Sequence, residues 1–148
     1  MRIGILTSGG DCPGINATIR GVCKTAINYY GMEVVGIHSG FQGLLTKDVE
    51  SITDKSLSGL LNLGGTMLGT SREKPFKKGG VVSDVDKPSL ILQNIHEIGL
   101  DCVVCIGGNG TQKTAAKFVA MGVTSYLFLK PLIMIFGART SLLVSTRR

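Results

Sequence analysis

Two stretches of this chain share one plan, in which a short apolar run ends in glycines and a helix-forming run follows. They are residues 3–21, IGILTSGGDCPGINATIRG, and residues 102–115, CVVCIGGNGTQKTA. The apolar runs predict buried strands, and the glycines leave backbone N–H groups uncovered where each helix begins. Because the N-terminus of a helix is partially positive, such a unit is suited to an anion, usually phosphate. Two units in one short chain indicate an α/β domain that binds phosphate groups.

The length and composition fit one globular domain. The chain has 148 residues, 43% of them hydrophobic and 18% charged, so it can bury a core. The net charge is +6, but residues 124–148 hold four basic residues and no acidic one. We see no basic face or motif for nucleic acid. The apolar runs near residue 3 and at 126–136 are too short for a signal peptide or a membrane span, so we expect a cytoplasmic protein with neither nucleic-acid nor membrane partners.

The four cysteines are expected to be reduced, partly buried thiols. Cys102 and Cys105 form a C-x-x-C pair, which can indicate a metal or redox site. On a strand, however, positions three apart point to opposite faces, so these two side chains cannot chelate one ion. No second pair with the spacing of a zinc site accompanies them.

Hydrophobic periodicity predicts alternating strands and helices. A strand, helix, strand order implies parallel pairing through a right-handed crossover, and therefore a Rossmann-like, doubly wound parallel sheet. The predicted strands are at 2–7, 32–38 and 102–106, and the predicted helices are at 15–30, at 88–98 and from the residue after Thr111 to about 121. A short helix or turn is predicted at 57–63, an irregular segment at 39–54 and a surface loop at 73–87.

Three glycine-rich motifs could bind phosphate, although each alone also fits a plain turn. They are GGDCPGIN at 9–16, GGTMLGTSR at 64–72 and GGNGT at 107–111. In the first, Asp11 could cap a turn or orient a ligand, and Asn16 could hydrogen-bond the loop. In the second, an arginine after a hydroxyl-rich loop could grip anionic oxygens or could be solvated. Since loops that follow parallel strands meet at one edge of the sheet, their co-occurrence favours a shared phosphate site.

The order and spacing of these motifs resemble the 6-phosphofructokinase family over residues 3–123. The motifs that carry the resemblance are GGDCPGINATIRG at 9–21, GGTMLGTSR at 64–72 and IGGNGTQKTA at 106–115. The resemblance implies two doubly wound lobes, of which this would be the nucleotide-binding one. It also implies transfer of the γ-phosphoryl group of ATP to the 1-hydroxyl of fructose 6-phosphate in glycolysis, with Mg²⁺, by a homo-oligomer.

The resemblance assigns roles to seven residues. Gly10 would lie against the ATP phosphates, Arg72 would neutralise charge on the transferring phosphoryl group, and Glu73 would adjoin the nucleotide. The phosphates would be cradled by Gly108, Asn109, Gly110 and Thr111. Asn109 stands where most members have a magnesium-binding aspartate, and an amide oxygen can coordinate but brings no charge. Pyrophosphate users typically have aspartate at the position of Gly110, so glycine there favours ATP.

The resemblance stops near residue 123, where the family should show a strand and then a PKTIDND-type motif that holds the catalytic aspartate. Residues 124–148 contain no acidic residue. A back-translation of residues 123–148 with one nucleotide inserted after codon 123 reads VNIISFPKTIDNDIWGTDVTFGFNTA. We hypothesise that loss of one nucleotide placed residues 124–148 out of frame. The chain then divides into a partial nucleotide-binding lobe at 1–123 and a poorly structured tail at 124–148.

Other functions remain open from the sequence. A kinase of the NAD or diacylglycerol type also uses a GGDGT-like loop, but it does not account for the first two motifs. A pyrophosphate-dependent phosphofructokinase would share all three motifs. A non-catalytic remnant that binds nucleotide would share them as well, since no general base can be nominated on the acceptor side.

Overall fold

The computed structural model describes residues 1–77 and 86–129 and shows a five-stranded sheet with helices on both faces. The strands are ordered β3-β2-β1-β4-β5, and all neighbours are parallel except β3, which runs antiparallel to β2. The predicted α/β class and mostly parallel, doubly wound sheet are confirmed. In chain order the elements are β1 (Arg2–Ser8), α1 (Ile15–Tyr30), β2 (Glu33–Ile37), α2 (Phe41–Thr46), β3 (Val49–Ile52), a 3₁₀ turn (Leu60–Asn62), α3 (Lys87–Ile98), β4 (Cys102–Gly107), α4 (Asn109–Ala120) and β5 (Ser125–Leu129).

Side chains of the central strands alternate between two apolar cores, one on each face of the sheet. In β4, Cys102 and Val104 belong to the first core, whereas Val103 and Cys105 belong to the second. The first core is covered by α1 and the turns after β3, and the second by α2, α3 and α4. The two cysteines of the C-x-x-C pair therefore lie on opposite faces, as the strand period predicted.

Two of the predicted helices, α1 and α3, end where glycine allows the chain to turn. Helix α1 covers the predicted residues, and it ends at Gly31, which has a φ of 58°. The N–H of Gly31 donates to the carbonyl of Ile27 at 3.1 Å, and the N–H of Met32 donates to the carbonyl of Ala26 at 2.9 Å. The helix would otherwise leave both carbonyls unpaired. Helix α3 ends in the same way at Gly99, with a φ of 74°.

The prediction of an irregular segment at 39–54 is wrong, because this segment contains α2 and β3. Gly43 weakens the helical pattern of α2, since glycine is a poor helix former. A Cβ at position 43 would lie 2.0 Å from the carbonyl oxygen of His38, so the glycine is required by a close approach of α2 to the end of β2. Strand β3 buries only Ile52 and shows no alternation. Both elements depend on tertiary contacts that the sequence pattern does not reveal.

Smaller differences occur at the ends of elements. Helix α4 begins at Asn109, three residues before the predicted start. The short helix or turn predicted at 57–63 contains one 3₁₀ turn. In the predicted loop at 73–87, residues 73–77 form neither helix nor strand, and residues 78–85 lie outside the described part. Strand β5 continues the sheet past residue 123 by pairing with β4. Residues 130–148 are not described, so the division at residue 123 stays a prediction.

Candidate functional site

The centre of the sheet contains a topological switch point between β1 and β4. After β1 the chain crosses to β2 on one side, and after β4 it crosses to β5 on the other. The two strands end together, because Ser8 of β1 pairs in register with Gly107 of β4. Loops that leave neighbouring parallel strands in opposite directions open a crevice at the carboxyl edge of the sheet.

A cleft of about 1110 Å³ lies at this switch point and receives residues from all three glycine-rich motifs. All seven residues to which the resemblance assigned a role line it. Residues of the first motif come from the end of β1, Ser71 and Arg72 come from the second, and the third supplies the start of α4. The assigned residues in the lining are Gly10, Arg72, Glu73, Gly108, Asn109, Gly110 and Thr111.

The start of α4 presents uncommitted backbone donors to the cleft. Gly108 is the N-cap residue, and no side chain caps this helix end. The first helical hydrogen bond runs from the N–H of Gln112 to the carbonyl of Gly108, at 3.1 Å. The three preceding N–H groups therefore have no partner within the helix, and no acidic residue lies in its first turn. This end of α4 is chemically suited to an anion.

The glycines of the third motif have two distinct functions. A Cβ added to Gly107 would lie 2.2 Å from Oγ1 of Thr111, so the absence of a side chain lets α4 pack against the end of β4. A Cβ added to Gly108 or Gly110 would meet nothing within 4 Å. These two glycines instead keep open the space above the helix end.

Asn16 attaches the second motif to the start of α1. Its side chain is 4% exposed, donates to the carbonyl of Leu63 at 3.1 Å and accepts from the N–H of Met67 at 2.8 Å. The sequence predicted that Asn16 could hydrogen-bond the loop of its own motif, whereas in the structure its side chain bonds to the segment of the second motif.

Two hydroxyl groups of the second motif, those of Thr66 and Ser71, form hydrogen bonds within the protein. Thr7 donates to the carbonyl of Gly69 at 2.7 Å, and its hydroxyl lies 2.9 Å from that of Thr66. Among the described hydroxyl groups of this motif, only that of Ser71 belongs to a residue of the cleft lining. The N–H of Gly9 donates to the carbonyl of Ser71 at 3.2 Å, which joins the first and second motifs. The second motif therefore positions Arg72 and does not itself form an array of hydroxyls.

The cleft is strongly cationic. Arg72 is exposed and forms no hydrogen bond or ion pair with any residue of the described chain. Of the two carboxylates in the lining, Glu73 accepts from Nζ of Lys87 at 2.7 Å, which leaves Asp11 as the carboxylate without an ion pair among the described residues. The cations of the lining are Arg72, Lys74, Lys77, Lys113 and Lys117. Such a balance favours a multiply charged anion over a neutral ligand.

Comparison with known proteins agrees with this geometry. The pattern that describes phosphofructokinases matches residues 2–138. The chain belongs to the phosphofructokinase family. It is 93% identical over 123 residues to ATP-dependent 6-phosphofructokinase 3 of Bacteroides thetaiotaomicron, covering 83% of this chain and 37% of that protein. It is 43% identical over 123 residues to the pyrophosphate–fructose 6-phosphate 1-phosphotransferase of Dictyoglomus thermophilum, covering 83% of this chain and 34% of that protein.

A solved phosphofructokinase structure shares the fold. The phosphofructokinase of Pichia pastoris in the T-state superposes with a TM-score of 0.72 at 28% identity, over 86% of this chain and 14% of that one. The chain thus spans about a third of the length of the curated relatives it matches. Within its described helices, none is long and apolar enough to cross a membrane.

The oxygen atoms that line the cleft fit a metal ion that binds together with the phosphate groups of a substrate. Asn109 and Asp11 are the lining amide and carboxylate side chains whose oxygen atoms have no partner in the described residues. Residues 1–77 and 86–129 contain no group of three or more His, Cys, Asp or Glu that could hold a metal ion. Magnesium characteristically keeps several waters and uses one or two carboxylates together with substrate phosphates. The residues present fit that mode better than a cage made by protein alone.

Four further cleft residues were not identified from the sequence. Phe76 packs against Phe118 with ring centroids 4.8 Å apart, and Nζ of Lys117 lies 5.0 Å from the centroid of Phe76. Phe41 and Lys113 complete this part of the lining. The two lysines could have been found from their spacing on α4, which places them on the face that also holds Gly110. No sequence signal distinguishes the two cleft phenylalanines from ordinary core residues.

The four cysteines are free thiols, as the sequence predicted. Burial raises the pKa of the Cys23 and Cys105 thiols to about 12, and burial followed by the nearby charge of Asp101 raises the pKa of Cys102. These three thiols are therefore protonated near neutral pH and unreactive in the folded chain. Cys12 differs, since it is half-buried and lines the cleft.

Proposed function

We propose that this chain is the donor-binding part of an ATP-dependent 6-phosphofructokinase of glycolysis, acting in the cytoplasm. The observation that carries the proposal is the meeting of three glycine-rich motifs and Arg72 in one cationic cleft at the switch point of the sheet. The 93% identical relative supports ATP as the phosphoryl donor. Because the chain spans about a third of that relative, fructose 6-phosphate as acceptor and a homo-oligomeric assembly are proposed for the complete protein.

Each assigned residue has a distinct role in this proposal. The uncommitted amides at Asn109, Gly110 and Thr111 donate to the phosphate oxygens, and Gly10 leaves space for them on the opposite wall. Arg72, which has no partner among the described residues, pairs with the phosphoryl group that is transferred. Phosphoryl transfer depends on positioning and on charge stabilisation more than on covalent chemistry, so such a cradle is a large part of the machinery.

Glu73 and Asn109 act at the edges of the donor. Glu73 adjoins the nucleotide while its carboxylate holds Lys87, so its role is to position this wall of the cleft. Asn109 offers a neutral oxygen and Asp11 a charged one to the magnesium ion. When bound, Mg²⁺ would neutralise part of the charge on the phosphate groups.

Pyrophosphate is the second candidate donor, because a relative with 43% identity is named for it. Gly110 favours ATP instead. A Cβ at this position would meet nothing within 4 Å, so the space beside the helix end is available to a third phosphate. A side chain such as aspartate would fill that space and add negative charge.

Calorimetric titration with MgATP tests the proposal. We expect binding by the wild-type chain and a loss of about tenfold or more in Arg72→Ala, since a hydrogen bond to a charged group contributes roughly 1.5–3 kcal/mol. Gly10→Asp, which introduces a carboxylate into open space, should abolish binding without lowering the melting temperature. Arg20→Ala, on α1 outside the cleft lining, is the matched control. Equal affinity of all four proteins would refute the assignment of the cleft.

A further inference from the structure

One face of α4 lines the cleft for some distance beyond the N-terminal end of the helix. Gly110, Lys113 and Lys117 recur at intervals of three and four residues, and all three line the cleft. With a rise of 1.5 Å per residue, Lys113 lies about 6 Å and Lys117 about 12 Å along the axis from Asn109. The cleft therefore continues for two turns past the amides that are suited to phosphate.

The two lysines are an unfavourable arrangement for the helix itself. Like charges four residues apart destabilise a helix by about 0.2–0.5 kcal/mol, and the sequence contains no acidic residue after Asp101 that could compensate on α4. Lys117 has a partner in the ring of Phe76, at 5.0 Å. Lys113 is exposed and forms no ion pair, hydrogen bond or ring contact with any described residue.

We infer that Lys113 binds the α-phosphate of a nucleoside triphosphate and makes this cleft select a triphosphate donor over pyrophosphate. The inference rests on the proposed function. The amides of the first turn hold the phosphoryl group that is transferred and the phosphate next to it, and the donor then extends along α4 towards Phe76 and Lys117. The next phosphate along that path lies beside Lys113, where pyrophosphate has no group to offer.

This role differs from that of the helix end and of Arg72. Those groups meet phosphates that ATP and pyrophosphate share, so they set affinity for both donors. Lys113 meets a phosphate that ATP alone provides, so it contributes to the difference between the two affinities, which is what specificity means. An ammonium group suits this task because it is a compact point charge on a flexible stem.

Titration calorimetry with three anions separates these roles in the full chain. Lys113→Met keeps the length of the side chain and removes its charge, and Lys55→Met, at an exposed position outside the cleft lining, is the matched control. We expect Lys113→Met to weaken MgATP about tenfold and to leave pyrophosphate within twofold of wild type. The affinity of Lys113→Met for inorganic tripolyphosphate should fall by the same factor as its affinity for MgATP, because the contact is with a phosphate and not with the base.

The outcomes distinguish this inference from the proposed function. If the wild-type chain binds MgATP and Lys113→Met binds it equally well, the role of Lys113 is refuted while the donor site stands. An equal loss for ATP and pyrophosphate also refutes it, since the lysine would then act only through general charge. If the folded wild-type chain binds none of the three anions, the proposed function and the inference fail together. An unchanged melting temperature of Lys113→Met shows that any loss is not caused by unfolding.

Discussion

Single glycines of the third motif meet different physical demands. At Gly107 the demand is steric, because α4 returns so closely to β4 that Thr111 occupies the place of a side chain. At Gly110 no neighbour lies within 4 Å of an added Cβ, so packing within the chain does not require glycine there. In the proposed function, the open space is needed by the bound phosphates. The two glycines are adjacent to the same cleft, yet only one is needed for folding.

Gly107→Ala and Gly110→Ala should have opposite effects on stability. A methyl group at position 107 would overlap Thr111, so we expect a loss of about 1–3 kcal/mol in the free energy of unfolding. At position 110, inside the first turn of α4, alanine is the better helix former by up to about 1 kcal/mol. Urea unfolding followed by circular dichroism measures both. Equal midpoints for the two variants would contradict the close packing inferred at Gly107.

At the scale of elements, the second motif is held in place by residues of β1 and α1. Asn16 anchors it to the helix, and Thr7 anchors it to the strand through the carbonyl of Gly69. None of these side chains needs to contact a ligand. Their effect is to fix the position of Arg72, which reaches the cleft together with Ser71.

Asn16→Ala should therefore weaken both the fold and the donor site. Removing the side chain leaves the carbonyl of Leu63 and the N–H of Met67 without a partner, which costs roughly 1–3 kcal/mol. Thermal unfolding should show a lower melting temperature, and calorimetry a weaker affinity for MgATP. Asn28→Ala changes an exposed asparagine on the same helix and provides the comparison. Equal melting temperatures for Asn16→Ala and Asn28→Ala would refute the anchoring role of Asn16.

At the scale of the whole molecule, the sheet topology assembles a site from distant parts of the chain. The first and third motifs are about a hundred residues apart in sequence, yet Ser8 and Gly107 are paired in the sheet. The lining contains two carboxylates, Asp11 and Glu73, and both come from the donor side as proposed here. In the proposed function, the described residues therefore form the side of the active site that binds the phosphoryl donor.

The 148-residue chain should bind MgATP without phosphorylating fructose 6-phosphate. It has no acidic residue after Asp101, so the carboxylate that would take the proton of the sugar hydroxyl is missing from the segment where the family pattern places it. A coupled assay for fructose 1,6-bisphosphate measures this, with a complete ATP-dependent 6-phosphofructokinase as positive control. Turnover by the chain as written would show that another residue supplies the base.

The nucleotide sequence across codons 120–150 tests why that carboxylate is missing. If one nucleotide was lost near codon 123, the shifted frame encodes PKTIDND. Codons that do not restore this motif would contradict the single-nucleotide loss. A natural divergent terminus would then be the remaining explanation of residues 124–148.

The sequence by itself determined the α/β class, the long helices and seven residues of the cleft lining, because glycine loops and helical periodicity are local properties. It did not determine α2 and β3, since Gly43 and the exposed edge strand are explained only by the approach of α2 to β2 and by pairing with β2. Nor did it identify Phe41, Phe76 and the cleft face of α4. Only the tertiary structure decides which side chains of a helix or loop meet across the switch point of the sheet.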